Sequence, residues 1–188
     1  MRTVLYLHGF LSGPGSKKAC VLRDLCEAEG ANYMSPEEAA ALIWSEYEKA
    51  AAVGAVAVAG ASLGGFYAAW LAGRTGIRAA LLNPAVEPWD IVKLYNGEYK
   101  SFTGDKIVRV TPDYADQLRA LDAKPFADPA RVLMVLCTGD EVLDWRRAAK
   151  RFSDVQSIVI DGSDHRISCF EEYAVGVRDF LLAGSDRS

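Results

Sequence analysis

The stretch from Val56 to Gly65, Val-Ala-Val-Ala-Gly-Ala-Ser-Leu-Gly-Gly, constrains the fold more than any other part of the chain. Four small apolar residues suited to a buried strand lead into Gly60-Ala61-Ser62-Leu63-Gly64, and a helix-like run, Phe66 to Ala72, follows at once. G-x-S-x-G between a strand and a helix is the pattern of a nucleophile elbow, which sets a serine on a sharp, strained turn. Glycine is needed two residues before and two after the serine, because a Cβ there would strike the neighbouring strand or helix. The pattern predicts a strand over 56–59 and a helix over 63–75.

A membrane span is the rival reading of the same region. From Ala50 to Gly73 there are twenty-four residues without a charge, long enough to cross a bilayer. Gly54, Gly60, Gly64, Gly65 and Gly73 interrupt it, most of the rest is alanine, and Lys49 and Arg74 flank it equally. No positive-inside bias results. Strand, turn and helix explain the glycines, whereas a single span does not.

With 188 residues, 51% hydrophobic and 24% charged, the chain is expected to form one globular domain over 1–188. A net charge of −4 gives no electrostatic reason to expect nucleic acid. Arg146, Arg147, Lys150 and Arg151 read as the wet face of a helix, because Trp145, Ala148, Ala149 and Phe152 interleave at i, i+3, i+4, i+7. Of the four cysteines, Cys20 and Cys26 fall on one predicted helix, about 9 Å apart along its axis, too far for a disulfide. With Cys137 and Cys169 they are expected as reduced thiols in a cytoplasmic protein. Val4 to Leu7 is too short for a signal-peptide core.

Taken in order, Thr3 to Leu7 reads as a buried strand ending in His8-Gly9-Phe10, with turn-rich Ser12-Gly13-Pro14-Gly15 after it. A helix is expected from Ser16 to about Glu29, with Ala19, Leu22, Leu25 and Cys26 inward and Gly30 as its stop. A short edge strand is expected within 31–35. Ser35-Pro36-Glu37-Glu38 is a helix start with a capping box, and Ile43, Tyr47, Ala50 and Ala51 mark a buried face ending near Gly54. A strand follows at Arg78 to Leu82, closed by Asn83-Pro84.

Residues 84–130 break the alternation, with five of the seven prolines and Trp89, Tyr95, Tyr99, Phe102, Tyr114 and Phe126 among polar residues. Two short helices are expected, near 88–95 and, capped by Thr111-Pro112, near 112–121. An aromatic-rich insert after a strand's C-terminal end is where a lid would be; a structural crossover covering the sheet accounts for the same residues. Alternation then resumes: strand 131–138, helix 144–152, strand 156–160, and helix 169–182 with Phe170, Tyr173, Ala174, Val177 and Leu181 inward. The whole predicts an α/β protein, a mainly parallel sheet with helices on both faces.

In such a sheet all strand C-terminal ends lie along one edge, and that edge carries the site. Ser62, Gly139-Asp140 and Asp161-Gly162-Ser163-Asp164-His165 each follow a predicted strand. A serine hydroxyl needs a base to become a nucleophile. An imidazole, titrating near 6.5, can take the proton and later return it, while a carboxylate fixes its tautomer. His165 is the favoured base over His8, which precedes the serine and has no fitting carboxylate after it. Asp140 is the favoured acid over Asp144 and Glu141, and Asp164 adjoins His165 too closely to face it. Two backbone N–H groups should meet the oxyanion, one from Leu63 at the start of the elbow helix and one from Phe10, with Gly9 allowing close approach. His8, Gly9 and Trp89 are candidate substrate contacts. No phosphate-binding loop, dinucleotide fingerprint or H-E-x-x-H occurs, so no cofactor and no metal are expected.

The chain resembles the small YqiA-like esterases, a compact branch of the α/β-hydrolase superfamily. The resemblance rests on Tyr6 to Ser12, Gly60 to Ala68, Leu82-Asn83-Pro84-Ala85-Val86 with Pro88, Thr138-Gly139-Asp140-Glu141-Val142-Leu143-Asp144, and His165 with Phe170-Glu171. It implies the α/β-hydrolase fold and an esterase with Ser62 as nucleophile, Asp140 as acid and His165 as base, in the chain order usual for that fold. Residues 27–37 are shorter than the family's stretch. Asp164 and Arg166 flank the base where the family would have asparagine and a small residue.

Two functions follow from these readings. One is a serine hydrolase cleaving carboxylic esters, or thioesters, through an acyl-enzyme. The other is a non-catalytic member of the fold that binds a small acid or a protein partner.

Overall fold

The computed structural model describes residues 3–12, 16–22, 35–101 and 107–184. In chain order the elements are β1 (Thr3–Leu7), α1 (Lys17–Val21), α2 (Pro36–Val53), β2 (Val56–Ala61), α3 (Leu63–Thr75), β3 (Arg78–Leu82) and α4 (Trp89–Val92). They continue with β4 (Gly97–Lys100), β5 (Ile107–Val110), α5 (Tyr114–Ala120), a 3-10 turn at Pro129–Arg131, β6 (Val132–Cys137), α6 (Trp145–Arg151), β7 (Gln156–Ile160) and α7 (Phe170–Leu182).

Five strands form one parallel sheet in the order β1-β2-β3-β6-β7. Its register pairs Leu7 with Gly60, Ala61 with Leu82, Leu82 with Val135, and Cys137 with Ile160. The strand ends that precede Ser62, Asn83, Asp140 and His165 therefore stand side by side. Residues alternate between two cores, as a period of two requires. Leu5, Leu7, Val58, Leu81, Met134 and Leu136 face α2, α3 and α6. Val4, Tyr6, Ala59, Leu82, Val135 and Cys137 face α7, with Leu22. Covered on both faces, the inner strands β2 and β6 are buried at every residue, which is why they read as unbroken apolar runs.

α3 is apolar almost all round because it is enclosed almost all round. Residues Gly64 to Ala72 are buried, between the sheet, the Trp44 ring of α2 on Trp70, and Trp89 of α4 on Phe66. The uncharged stretch 50–73 is thus the end of α2, a strand, a turn and a helix. Among the described residues no helix is long and apolar enough to cross a membrane.

α2 begins with the expected capping box: the Ser35 hydroxyl accepts from the Glu38 N–H, and the Glu38 carboxylate accepts from the Ser35 N–H at 2.9 Å. Its buried stripe is Pro36, Ala39, Ala40 and Ile43, continued by half-buried Tyr47 and Ala50. Ala51 is exposed, contrary to expectation, because it falls one position off that stripe. The predicted helix 16–29 is seen only as α1. Its continuation with Leu25, Cys26 and Gly30, and the expected strand up to residue 34, lie outside the described residues. So do Gly13, Pro14, Gly15 and Phe102.

Within 84–130 both short helices occur, although α4 is only Trp89–Val92. Thr111-Pro112 do not cap α5; Asp113 holds the N-cap position, and the Thr111 carbonyl accepts the Tyr114 N–H in a preceding turn. The sequence did not announce the antiparallel hairpin β4–β5. Its strands are four residues each, and only Val108 and Val110 are buried, with Tyr99 half-buried. With Tyr114 and Val92 they pack on Phe10 and Leu11, in the loop that leaves β1.

Candidate active site

Ser62 occupies the turn between β2 and α3 with φ 56° and ψ −120°, a region that costs a residue with a Cβ on the order of 1–3 kcal/mol. Backbone bonds hold it there: its N–H donates to the Leu82 carbonyl at 3.0 Å, and its own carbonyl accepts from Phe66 and Ala85. The flanking glycines answer to contact. A Cβ on Gly60 would enter the Gly64 peptide, and one on Gly64 would enter the Leu7 carbonyl. One on Gly65 would lie 2.8 Å from Pro84 Cβ.

His165 lies in the loop between β7 and α7. Its Nε2 is 3.0 Å from Ser62 Oγ, and its Nδ1 is 2.8 and 3.0 Å from the two Asp140 oxygens. An ionised carboxylate only accepts, so Nδ1 carries the proton and the Nε2 lone pair faces the serine hydroxyl. Asp140 follows β6, and its side chain is 1% exposed. Burial pushes its pKa up, but the hydrogen bond from His165 and the N–H groups of Leu143 and Val142 outweigh it. The carboxyl is held below its ordinary value.

The other carboxylates of the region are committed elsewhere. Asp144 caps α6 through the Arg146 N–H, and Asp164 accepts from the backbone and hydroxyl of Ser168. Glu141 accepts from the backbone N–H of His165 at 2.9 Å rather than from its ring. His8 is buried at the end of β1, its Nδ1 3.5 Å from the Gly9 carbonyl. Gly9 lies against the serine: a Cβ there would be 3.3 Å from Ser62 Cβ and 3.8 Å from its Oγ. Phe10 begins the turn closed by the Ser12 N–H on the Gly9 carbonyl, and its ring meets Tyr99 edge-on at 6.4 Å. Leu63 is the first residue of α3, where helix N–H groups have no intrahelical partner. Trp89 stacks edge-on with Phe66, and the Arg119 guanidinium lies 6.0 Å above its ring.

A cavity of about 120 Å³ opens between the loops after β3 and β6. Its apolar walls are Pro84, Val86, Ile91, Val142 and Leu143, with Asp144 and Arg147 at the polar side. Arg147 is paired with Glu87 and Asp90. The walls adjoin the polar residues already described: Ala85, between Pro84 and Val86, donates its N–H to the Ser62 carbonyl, and Val142 and Leu143 donate theirs to Asp140.

Sequence reasoning missed Asn83. It is 3% exposed with φ 41°, and its amide reaches both the β6 end and the loop of His165. A strand-terminal Asn-Pro was visible in the sequence, but nothing local in it reveals those partners.

Solved structures share this architecture. Est1E from Butyrivibrio proteoclasticus matches 99% of this chain and 89% of its own, with a TM-score of 0.74 and 16% identity. Mouse alpha/beta hydrolase domain-containing protein 10 matches 96% and 89%, at 0.70 and 15%. Paleococcus ferrophilus monoacylglycerol lipase matches 96% and 93%, at 0.67 and 15%. At these identities the likeness establishes the α/β-hydrolase fold. The model of an uncharacterised protein family, UPF0227, matches residues 3–182. The chain belongs to that family, the YqiA-like family its motifs resemble.

Proposed function

We propose that the protein is a carboxylic-ester hydrolase acting through an acyl-enzyme on Ser62. The observation that carries this reading is the unbroken chain of hydrogen bonds from Asp140 through His165 to Ser62, each made by the atom the chemistry needs. In the reaction Nε2 takes the hydroxyl proton as Oγ attacks the ester carbonyl, then gives it to the departing alcohol. Water, activated by the same nitrogen, cleaves the acyl-enzyme. Asp140 keeps the imidazole in the required tautomer and stabilises the imidazolium.

The backbone N–H groups of Leu63 and Phe10 receive the oxyanion, one from a helix start and one from a loop steadied by the β4–β5 hairpin. Gly9 lets the loop after β1 come close to the nucleophile, and His8 and Trp89 are further candidate contacts for the substrate. The cavity walled by Pro84, Val86, Ile91 and Leu143 takes the acyl group, and its small size favours a short one. The free thiols of Cys137 and Cys169 suit a reducing, cytoplasmic setting.

The test is turnover of a series of p-nitrophenyl esters of increasing acyl length. Wild type should hydrolyse the short members best, and Ser62→Ala should lose on the order of 10⁶ in turnover. A Ser62→Ala protein that retained wild-type rates would contradict the assignment.

A further inference from the structure

The loop that carries His165 contains Ser163 and Ile167 at positive φ, 56° and 52°, and no helix or strand holds the imidazole in place. Side chains from elsewhere hold it instead. The Asn83 amide Nδ2 donates to the carbonyls of Asp164 and His165 at 3.1 and 3.3 Å. The Glu141 carboxylate accepts from the His165 N–H at 2.9 Å. Both backbone polar groups of His165 are thus taken by side chains from two different loops, one after β3 and one after β6. A third tie sits next door, where Lys18 Nζ donates to the Arg166 carbonyl at 2.7 Å.

Asn83 has a second arm. Its Oδ1 accepts from the Cys137 N–H at 2.8 Å, at the end of the strand that delivers Asp140 three residues later. One buried amide therefore links the backbone leading to Asp140 with the backbone of His165. We propose that Asn83 and Glu141 are positioning residues, which set the His165 backbone so that its ring spans Asp140 and Ser62. This rests on the reading of His165 as the base.

The two arms of Asn83 can be separated. Asn83→Asp keeps the acceptor for Cys137 and nearly the same volume, but turns a carboxylate oxygen toward two carbonyls. Glu141→Ala removes the acceptor on an exposed loop, and Glu141→Gln keeps a neutral one. Steady-state kinetics on p-nitrophenyl acetate would be measured on the full chain, with far-UV circular dichroism and thermal melting to confirm folding. A small misplacement of a catalytic group costs up to about 100-fold. N83D and E141A should therefore lose roughly 10- to 100-fold in kcat with KM nearly unchanged, and E141Q should recover most of the loss.

Wild-type kcat in folded N83D or in E141A would overturn the proposal. So would E141Q no better than E141A, which would make the charge the operative feature. An N83D chain unable to fold would assign Asn83 to the fold and count against it. Failure of the parent reading is distinguishable, since Ser62→Ala would then retain the wild-type rate or wild type would show none.

Discussion

At the residue scale, Asp140 shows how environment sets a role. Its burial opposes ionisation, yet three donors hold its pKa below the ordinary value. A carboxyl that titrates lower in the folded chain than in the unfolded one stabilises the fold above its unfolded pKa, near 3.9. That increment disappears as pH falls through the folded pKa. Asp140→Asn lacks it, so in urea denaturation the stability difference between wild type and variant should shrink steadily as pH drops from about 5 toward 2; a pH-independent difference would contradict the assignment. The meeting of Ser62, Asp140 and His165 was legible in the sequence because each is a telling residue type in the loop that follows a predicted strand. Asn83 and Glu141 were not, because what they do depends on partners as far as 82 residues away.

At the element scale, the elbow depends on how closely α3 approaches β1 and β2. A Cβ on Gly64 would enter the Leu7 carbonyl and lie 2.8 Å from the His8 oxygen, so the helix would have to leave the sheet. Gly76, at the C-terminus of the same helix, has φ 69° and nothing within 4 Å of a Cβ. Gly64→Ala should therefore cost about 3 kcal/mol or more, or abolish soluble protein, while Gly76→Ala should cost only about 1–2 kcal/mol of left-handed strain. Urea denaturation of both variants checks this, and equal losses would contradict it. The same contrast explains which elements could be read ahead. α2 announced itself through Ser35, Pro36 and Glu38, and α3 through its glycines and unbroken apolar surface. The β4–β5 hairpin did not, since four-residue strands with so few buried side chains leave no period to detect.

At the scale of the whole molecule, alternation of strand and helix is enough to align the strand ends of a parallel sheet, whereas the order β1-β2-β3-β6-β7 is written in no local pattern. All four tryptophans, Trp44, Trp70, Trp89 and Trp145, pack on the core facing α2, α3 and α6, and Trp89 belongs to the insert. If the chain folds as one unit, tryptophan fluorescence and far-UV circular dichroism should report coincident urea transitions; an earlier fluorescence change would mark the insert as a separate unit. The functional reading needs a reactive serine at one place on this scaffold. Labelling with a fluorophosphonate, followed by mass mapping of the peptides, examines that directly. A single adduct on the peptide containing Ser62, absent from Ser62→Ala and much slower to form in Asp140→Asn, is the predicted result. An adduct on another residue, or an active protein that the reagent leaves unmodified, would contradict it.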